Sequence, residues 1–320
     1  MIKNIKINNI IILETEMNWT TVVKSLALCG CLAIPGVALS TENGQQHYPI
    51  GLDTVLNGIV PALGETQYYQ YTVFYSASKF AGSSGQSAVP NFQANTFATA
   101  PRVLHTWGKT LGPFTVTSGF ALTIVHPQTR LPSGSDNRWG LSSLTVHAAN
   151  IGYSNPEKTF FGLLALDFQL PIGSYDPKRM VNTSSNTYAF LPGFKFTLFP
   201  IPGAEVSGTF IYEISSRNNA TGYHSGDVAV VDWMVGYSVF PNLQLGVQGY
   251  MLQQVTDDSK NGTALPGDGF RGRAYAIGPQ VRFNFTKRSG IVLKWQHEFE
   301  VHNRPKGDRI WLEFTLPLDL

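Results

Sequence analysis

Residues 223–227 read YHSGD and put a histidine, a serine and an aspartate side by side. Those three side-chain types can carry acyl transfer, with Ser225 as nucleophile, His224 as base and Asp227 as the group that orients the base. Neighbours in one loop rarely reach that geometry, and no G-x-S-x-G turn occurs in the chain. The seven histidines show no H-E-x-x-H spacing. The acidic stretch DDSKNGTALPGDG (257–269) does not follow a calcium-loop pattern. No catalytic residue, metal or cofactor is therefore expected, and the chain is not expected to be an enzyme.

A second set of charged residues is more telling. The cations Arg102, Lys195, Arg282 and Lys294, and the acids Asp167, Glu205, Glu213, Asp232, Glu298 and Glu300, all fall on the polar side of alternating stretches. Around a bore, such a mixed ring can form cross-strand ion pairs that narrow it, or can select what passes. The elements that would position these residues are two-faced β-strands, because successive strand side chains point to opposite faces.

The stretch FTVTSGFALTIV (114–125) shows the pattern. One row is Phe114, Val116, Ser118, Phe120, Leu122 and Ile124, and the other is Thr115, Thr117, Gly119, Ala121, Thr123 and Val125. About twelve such stretches run from residue 67 to 318, with no amphipathic helix between them. Greasy rows recur as Tyr69, Tyr71, Val73 and Tyr75, as Phe194, Phe196 and Leu198, as Val206, Phe210, Tyr212 and Ile214, and as Ile291, Leu293, Trp295, Phe299 and Val301. The connections alternate long and short: long ones such as 81–96 and 256–272, short ones such as 200–203 and 241–242. Short periplasmic turns and longer external loops mark outer-membrane barrels. The expected fold is all-β: a transmembrane antiparallel up-and-down barrel of about twelve strands, with greasy rows toward lipid and polar rows toward the lumen. Tyr68, Tyr69, Trp107, Phe114, Trp139, Phe160, Phe199, Phe240 and Trp311 crowd the strand ends, as interfacial girdles do.

Composition agrees. The formal charge is +2 and charged residues make up 14%, against about 25% in ordinary soluble domains. No clustered basic face points to a nucleic-acid partner. Residues 1–40 read as a signal peptide, with Met17 a candidate start, Lys24 before an apolar run, and small residues at Ala38 and Ser40. Both cysteines, Cys29 and Cys31, lie in this leader, which leaves the exported chain without a thiol.

Residues 41–66 belong to no strand, and residues 67–320 form the barrel. Within the first stretch, LDTVLNGIV (52–60) is expected to make one or two helical turns capped by Asp53 or Thr54. Its Leu52, Val55, Leu56 and Ile59 are too apolar for a free tail. The segment reads either as a plug or gate in the lumen or as a packed arm without a gating role.

Residues 171–176 read PIGSYD, followed by Asn182, Asn186 and YAFLPGFKFTLFP (188–200). This resembles the Pro-Thr-Gly-x-Tyr-Asp stretch of the family called the MetA-pathway of phenol degradation. Pro171, Gly173, Tyr175 and Asp176 match it, and Ile172 replaces the usual threonine. YYQYTVFYSASKF (68–80), Arg102, TGYHSGD (221–227) and WLEFTLPL (311–318) look similar as well. The resemblance implies an outer-membrane barrel that admits aromatic or other hydrophobic compounds. Tyr175 and Asp176 then either shape a loop or line an external entry.

The expectation is a passive outer-membrane channel for small hydrophobic or phenol-like solutes in a Gram-negative bacterium. Its partners would be outer-membrane lipids, such a solute, and the barrel-assembly machinery. A structural or ligand-binding barrel with a sealed lumen, and a lipid-modifying outer-membrane enzyme, stand as alternatives.

Overall fold

The computed structural model describes residues 46–318. The leader at 1–40 lies outside the described residues. Twelve long strands form one antiparallel sheet: β1 (Thr66–Ala81), β2 (Gln93–Thr106), β3 (Phe114–Leu131), β4 (Gly140–Ser154), β5 (Phe160–Pro171) and β6 (Ala189–Leu198), then β7 (Ala204–Ser215), β8 (Val228–Phe240), β9 (Leu243–Gln254), β10 (Arg273–Asn284), β11 (Gly290–His302) and β12 (Arg304–Leu318). Each strand pairs with the next. β1 also pairs with β12, from Thr66↔Leu318 to Ala81↔Arg304, which closes the sheet. Closure removes both sheet edges, the condition for strands to cross a bilayer with every backbone group satisfied.

Five short turns lie at the end where β1 starts and β12 finishes, and the exception is the connection of β11 to β12, which is the single residue Asn303 at the other end. The opposite end carries the long loops, including 172–188 and 255–272. Gly134–Asn137 extends the β3 hairpin there. Three two-residue strands from two neighbouring loops, Tyr223–His224, Ser259–Lys260 and Thr263–Ala264, make a small sheet above the wall.

Facing follows the pleat. Phe120, Phe194, Phe210, Leu293 and Trp295 stand exposed on the outer surface. Thr117, Thr197, Glu205, Asp232 and Gln296 are buried on the inner one. In FTVTSGFALTIV the bulky row is thus the lipid side.

Three expectations change. The tyrosine row of β1 faces the lumen, and Phe74 on the other face is 55% exposed. Tyr75 donates to Glu298 at 2.9 Å, and Arg102 lies 5.5 Å from the Tyr69 ring centre. Tyrosine has an apolar body with a polar tip, so it suits a polar lumen that a hydropathy count would deny it. Trp311 likewise turns inward, where its Nε1 donates to Gln296 Oε1 at 3.0 Å. In β11 the alternation slips at Glu300, whose φ of 48° is left-handed. Val301 is thereby buried in the lumen and Glu300 is carried outward.

Candidate functional site

The inner wall and residues 46–60 form one bonded cluster. These residues make turns but no helix. The predicted helical turns do not form because wall side chains take the amides of Asp53, Leu56 and Gly58, and those of Leu52, Thr54 and Ile59 close only isolated turns. Asp232 on β8 accepts from the amides of Gly51 at 2.9 Å and Asp53 at 3.1 Å, and from the Tyr48 hydroxyl at 2.7 Å. Glu213 on β7 accepts from the amides of His47 and Tyr48, each at 3.0 Å. Glu205 accepts from the Leu56 amide at 2.9 Å, and Thr197 from that of Gly58 at 3.1 Å.

Cations hold the other groups of the segment. Lys195 on β6 is ion-paired to Asp53. Lys294 on β11 donates to the Leu52 carbonyl at 2.6 Å and to Thr54 at 2.9 Å, while pairing with Glu313 at 2.5 Å. Arg304 donates to Gln46. Burial raises the Asp53 carboxyl, but Lys195, Arg102 and Lys294 together override burial and hold it at about 2. His47 loses charge through burial and regains more from Glu213 at 2.8 Å, so its ring is held above the ordinary histidine range. Burial, then the charges of Asp232 and Asp53, push the Tyr48 hydroxyl well up.

The cluster is layered. Toward the long-loop end Tyr48 and Ile50 pack with Ile211, Val230, Leu252 and Val301 in an apolar layer. The His47–Glu213 pair stands on its long-loop side, and toward the short-turn end lie further charges, with Arg282 paired to Glu205 at 3.0 Å. Gly58 sits so close to the wall that a Cβ there would meet the Phe161 carbonyl oxygen at 2.3 Å. Gly51, at φ 80°, would drive a Cβ into Gln296.

Of the ten charged candidates, nine face inward. Arg102 donates to the Tyr71 hydroxyl at 3.3 Å, Asp167 pairs with His147 at 2.7 Å, and Glu298 pairs with Arg309 at 2.5 Å. Glu300 is the exception. Its side chain is 59% exposed and stands 3.5 Å from Arg273, because the slip in β11 turned it out of the lumen.

The apolar side chains of Leu52, Val55, Leu56 and Ile59 are only half-buried. The segment's anchors are instead His47, Tyr48, Ile50 and Asp53, with Arg304 holding Gln46, and His147, Arg309 and Glu313 are further lumen groups that bond to other wall residues. Their signal was available in part: Arg309, Trp311 and Glu313 alternate, and His147 shares the lumen parity of its strand. The contacts of Tyr48 and Asp53 with strands far along the chain left no trace in local sequence.

The PIGSYD residues lie apart from this cluster. Pro171 ends β5 and Gly173 donates its amide to Ser142 at 3.1 Å. Asp176 receives the Lys178 amide at 2.9 Å and gives its own amide to Asn182 at 2.9 Å. These bonds fold loop 172–188, which also contains Tyr175. In YHSGD, His224 contacts the Ser215 carbonyl at 3.0 Å and Asp227 accepts from Tyr212 at 3.0 Å, so the histidine and the aspartate face different partners.

Residues 77–314 match the model of the family described as "Putative MetA-pathway of phenol degradation". An outer-membrane channel from Pseudomonas putida F1 has the same fold. It is 16% identical, with a TM-score of 0.73, over 85% of this chain and all of that one. The β domain of the Bordetella autotransporter BrkA is 11% identical, with a TM-score of 0.51, over 79% of this chain and all of that one. A comparison with curated proteins found no sequence match.

Proposed function

We propose that this chain, which belongs to the MetA-pathway of phenol degradation family, is an outer-membrane channel for passive entry of small hydrophobic or phenol-like compounds, gated by residues 46–60. Residues 1–40 would export it, and the long-loop end would face outward in a Gram-negative outer membrane.

The observation that carries this reading is the way the lumen is filled. Twelve strands enclose more room than the small eight-stranded barrels that side chains fill. Here a strandless segment occupies that room, bonded through wall side chains and not through the sheet ladder. Such bonds can open while the barrel stays closed on itself. Among the described residues, the hydrogen bonds of 46–60 reach the wall from β5 to β12 and leave β1–β4 aside. That wall carries Tyr69, Tyr71 and Arg102, and also polar atoms without a partner: Arg102 Nε, His147 Nε2 and both side-chain atoms of Asn150. An aromatic face with unmet donors and acceptors suits a phenol, whose hydroxyl can do both. The family's description and the channel of like fold support the same reading.

The density of bonds to the segment favours a sealed structural barrel as the second reading. Flux into liposomes separates the two. Purified barrel should admit a phenolic solute faster than a sugar of similar size, and deletion of residues 41–64 should open the path to both. No flux of either solute in either protein would support the sealed barrel.

A further inference from the structure

On the outer surface, one ladder row runs Trp295, Ile310, Phe74, Phe97 and His126 across β11, β12, β1, β2 and β3. Its rings touch in sequence. Phe74 and Phe97 have centroids 5.0 Å apart, Phe97 and Trp139 5.5 Å, and Trp139 and His126 4.4 Å with planes 12° apart. Trp139 is 61% exposed. This is an aromatic girdle on the long-loop side of the barrel.

Above the girdle stands a group of cations. Alternation along β12 from Leu312 through Ile310 and Asp308 carries Lys306 outward, four residues beyond the girdle row, and its direct ladder partner is Lys79. Arg130 on β3 lies four residues beyond His126 on the same face. One strand, β2, lies between Lys79 and Arg130, which puts them two strand spacings apart, about 10 Å. Like charges directly opposite in a ladder destabilise the pair unless something neutralises them. No described residue does so here. The nearby carboxylates are committed elsewhere, Asp308 to His297 at 2.9 Å and Asp136 to Arg179 at 2.8 Å.

We propose that this face, the outward surface of β12, β1, β2 and β3 above the girdle, binds the phosphates of lipid A, the bis-phosphorylated disaccharide that anchors lipopolysaccharide. The proposal rests on the outer-membrane setting of the preceding reading but not on the channel. Girdle rings mark where acyl chains end, and four to five strand residues lift the cations roughly 10 Å above them, given a tilt near 40°. Ammonium and guanidinium groups at that height meet phosphate with charge-assisted hydrogen bonds. The cations are spread over several strands, which fits two phosphates on one disaccharide better than a single free ion.

The test uses the purified full barrel, refolded without lipopolysaccharide and checked for its heat-modifiable gel shift. Binding of bis-phosphoryl lipid A, dephosphorylated lipid A and inorganic phosphate is measured by native mass spectrometry and by melting temperature. Bis-phosphoryl lipid A should bind and raise the melting temperature. Lys79→Gln with Lys306→Gln should weaken that binding about tenfold or more, and Arg130→Gln serves as an independent variant should the pair fail to fold. Undiminished binding by the folded variants overturns the proposal. So does equal binding of dephosphorylated lipid A, which assigns the face to the girdle alone, or an equal shift with inorganic phosphate, which assigns it to a free ion. Conductance of the same preparations in phosphatidylcholine bilayers reports on the channel separately. Lipid A binding without conductance would defeat the channel and leave this site standing.

Discussion

At the residue scale the account turns on a few carboxylates that receive backbone amides. Asp232 takes three donors from the segment. Asp232→Ala strands them in a buried site and should cost about 3 kcal/mol or more, read as a lower urea midpoint for protection of residues 46–60 from protease. The tryptic pattern of the strands should not change. The Asp53–Lys195 pair has a pH signature. The folded pKa of Asp53, about 2, lies below its ordinary value of 3.8, so its contribution is present above 3.8 and is lost as pH falls toward 2. The shift corresponds to roughly 2 kcal/mol. The protection of the segment amides from hydrogen exchange, relative to their intrinsic rate at each pH, should therefore fall between pH 4 and pH 2, and Lys195→Met should move that fall to higher pH. His47 works in the opposite sense. Its folded pKa is raised above 6.5, so its pairing with Glu213 is complete below that value and fades as pH rises through the folded pKa. His47→Gln should remove the alkaline step in the same exchange profile and leave the acid one in place.

At the scale of elements, the strands were legible and the segment was not. Alternation placed all twelve strands within a few residues, because lipid outside and a polar lumen inside impose opposite demands on successive positions. It failed where a residue satisfies both demands, as the tyrosines of β1 do, and where one left-handed residue shifts the phase, as at Glu300. The apolar content of residues 52–60 predicted helical turns, since local sequence cannot show that Asp232 and Glu205, over a hundred residues away, take the amides. The charged lumen set was read from parity alone, and the bulge in β11 is the reason that one member of ten fell outside it. The segment's fit to the wall has a direct check. Gly58→Ala puts a methyl group against the Phe161 carbonyl and the Thr197 amide, both backbone atoms that cannot swing aside. It should lift the segment and raise open-channel time severalfold in single-channel records, with the gel shift of the folded barrel unchanged. Gly64→Ala, which meets nothing within 4 Å, is the control. Its φ of 78° adds backbone strain alone.

For the whole molecule, the barrel and its filling are separable in energy. The strand ladder closes through β1 and β12 and does not need residues 46–60 to complete any pair. On the proposed function, the apolar layer around Tyr48 and Ile50 and the ion pairs on either side of it tune access, while the sheet supplies the stability. Heat-modifiable migration of the barrel should be the same with and without the segment. The most direct measurement is the conductance of single molecules in a planar bilayer at neutral pH, comparing the full exported chain with one lacking residues 41–64. The account predicts brief, small openings for the full chain and a steady, severalfold larger conductance for the shortened one. Equal conductance in the two, or none in either, would contradict the claim that this segment gates a channel.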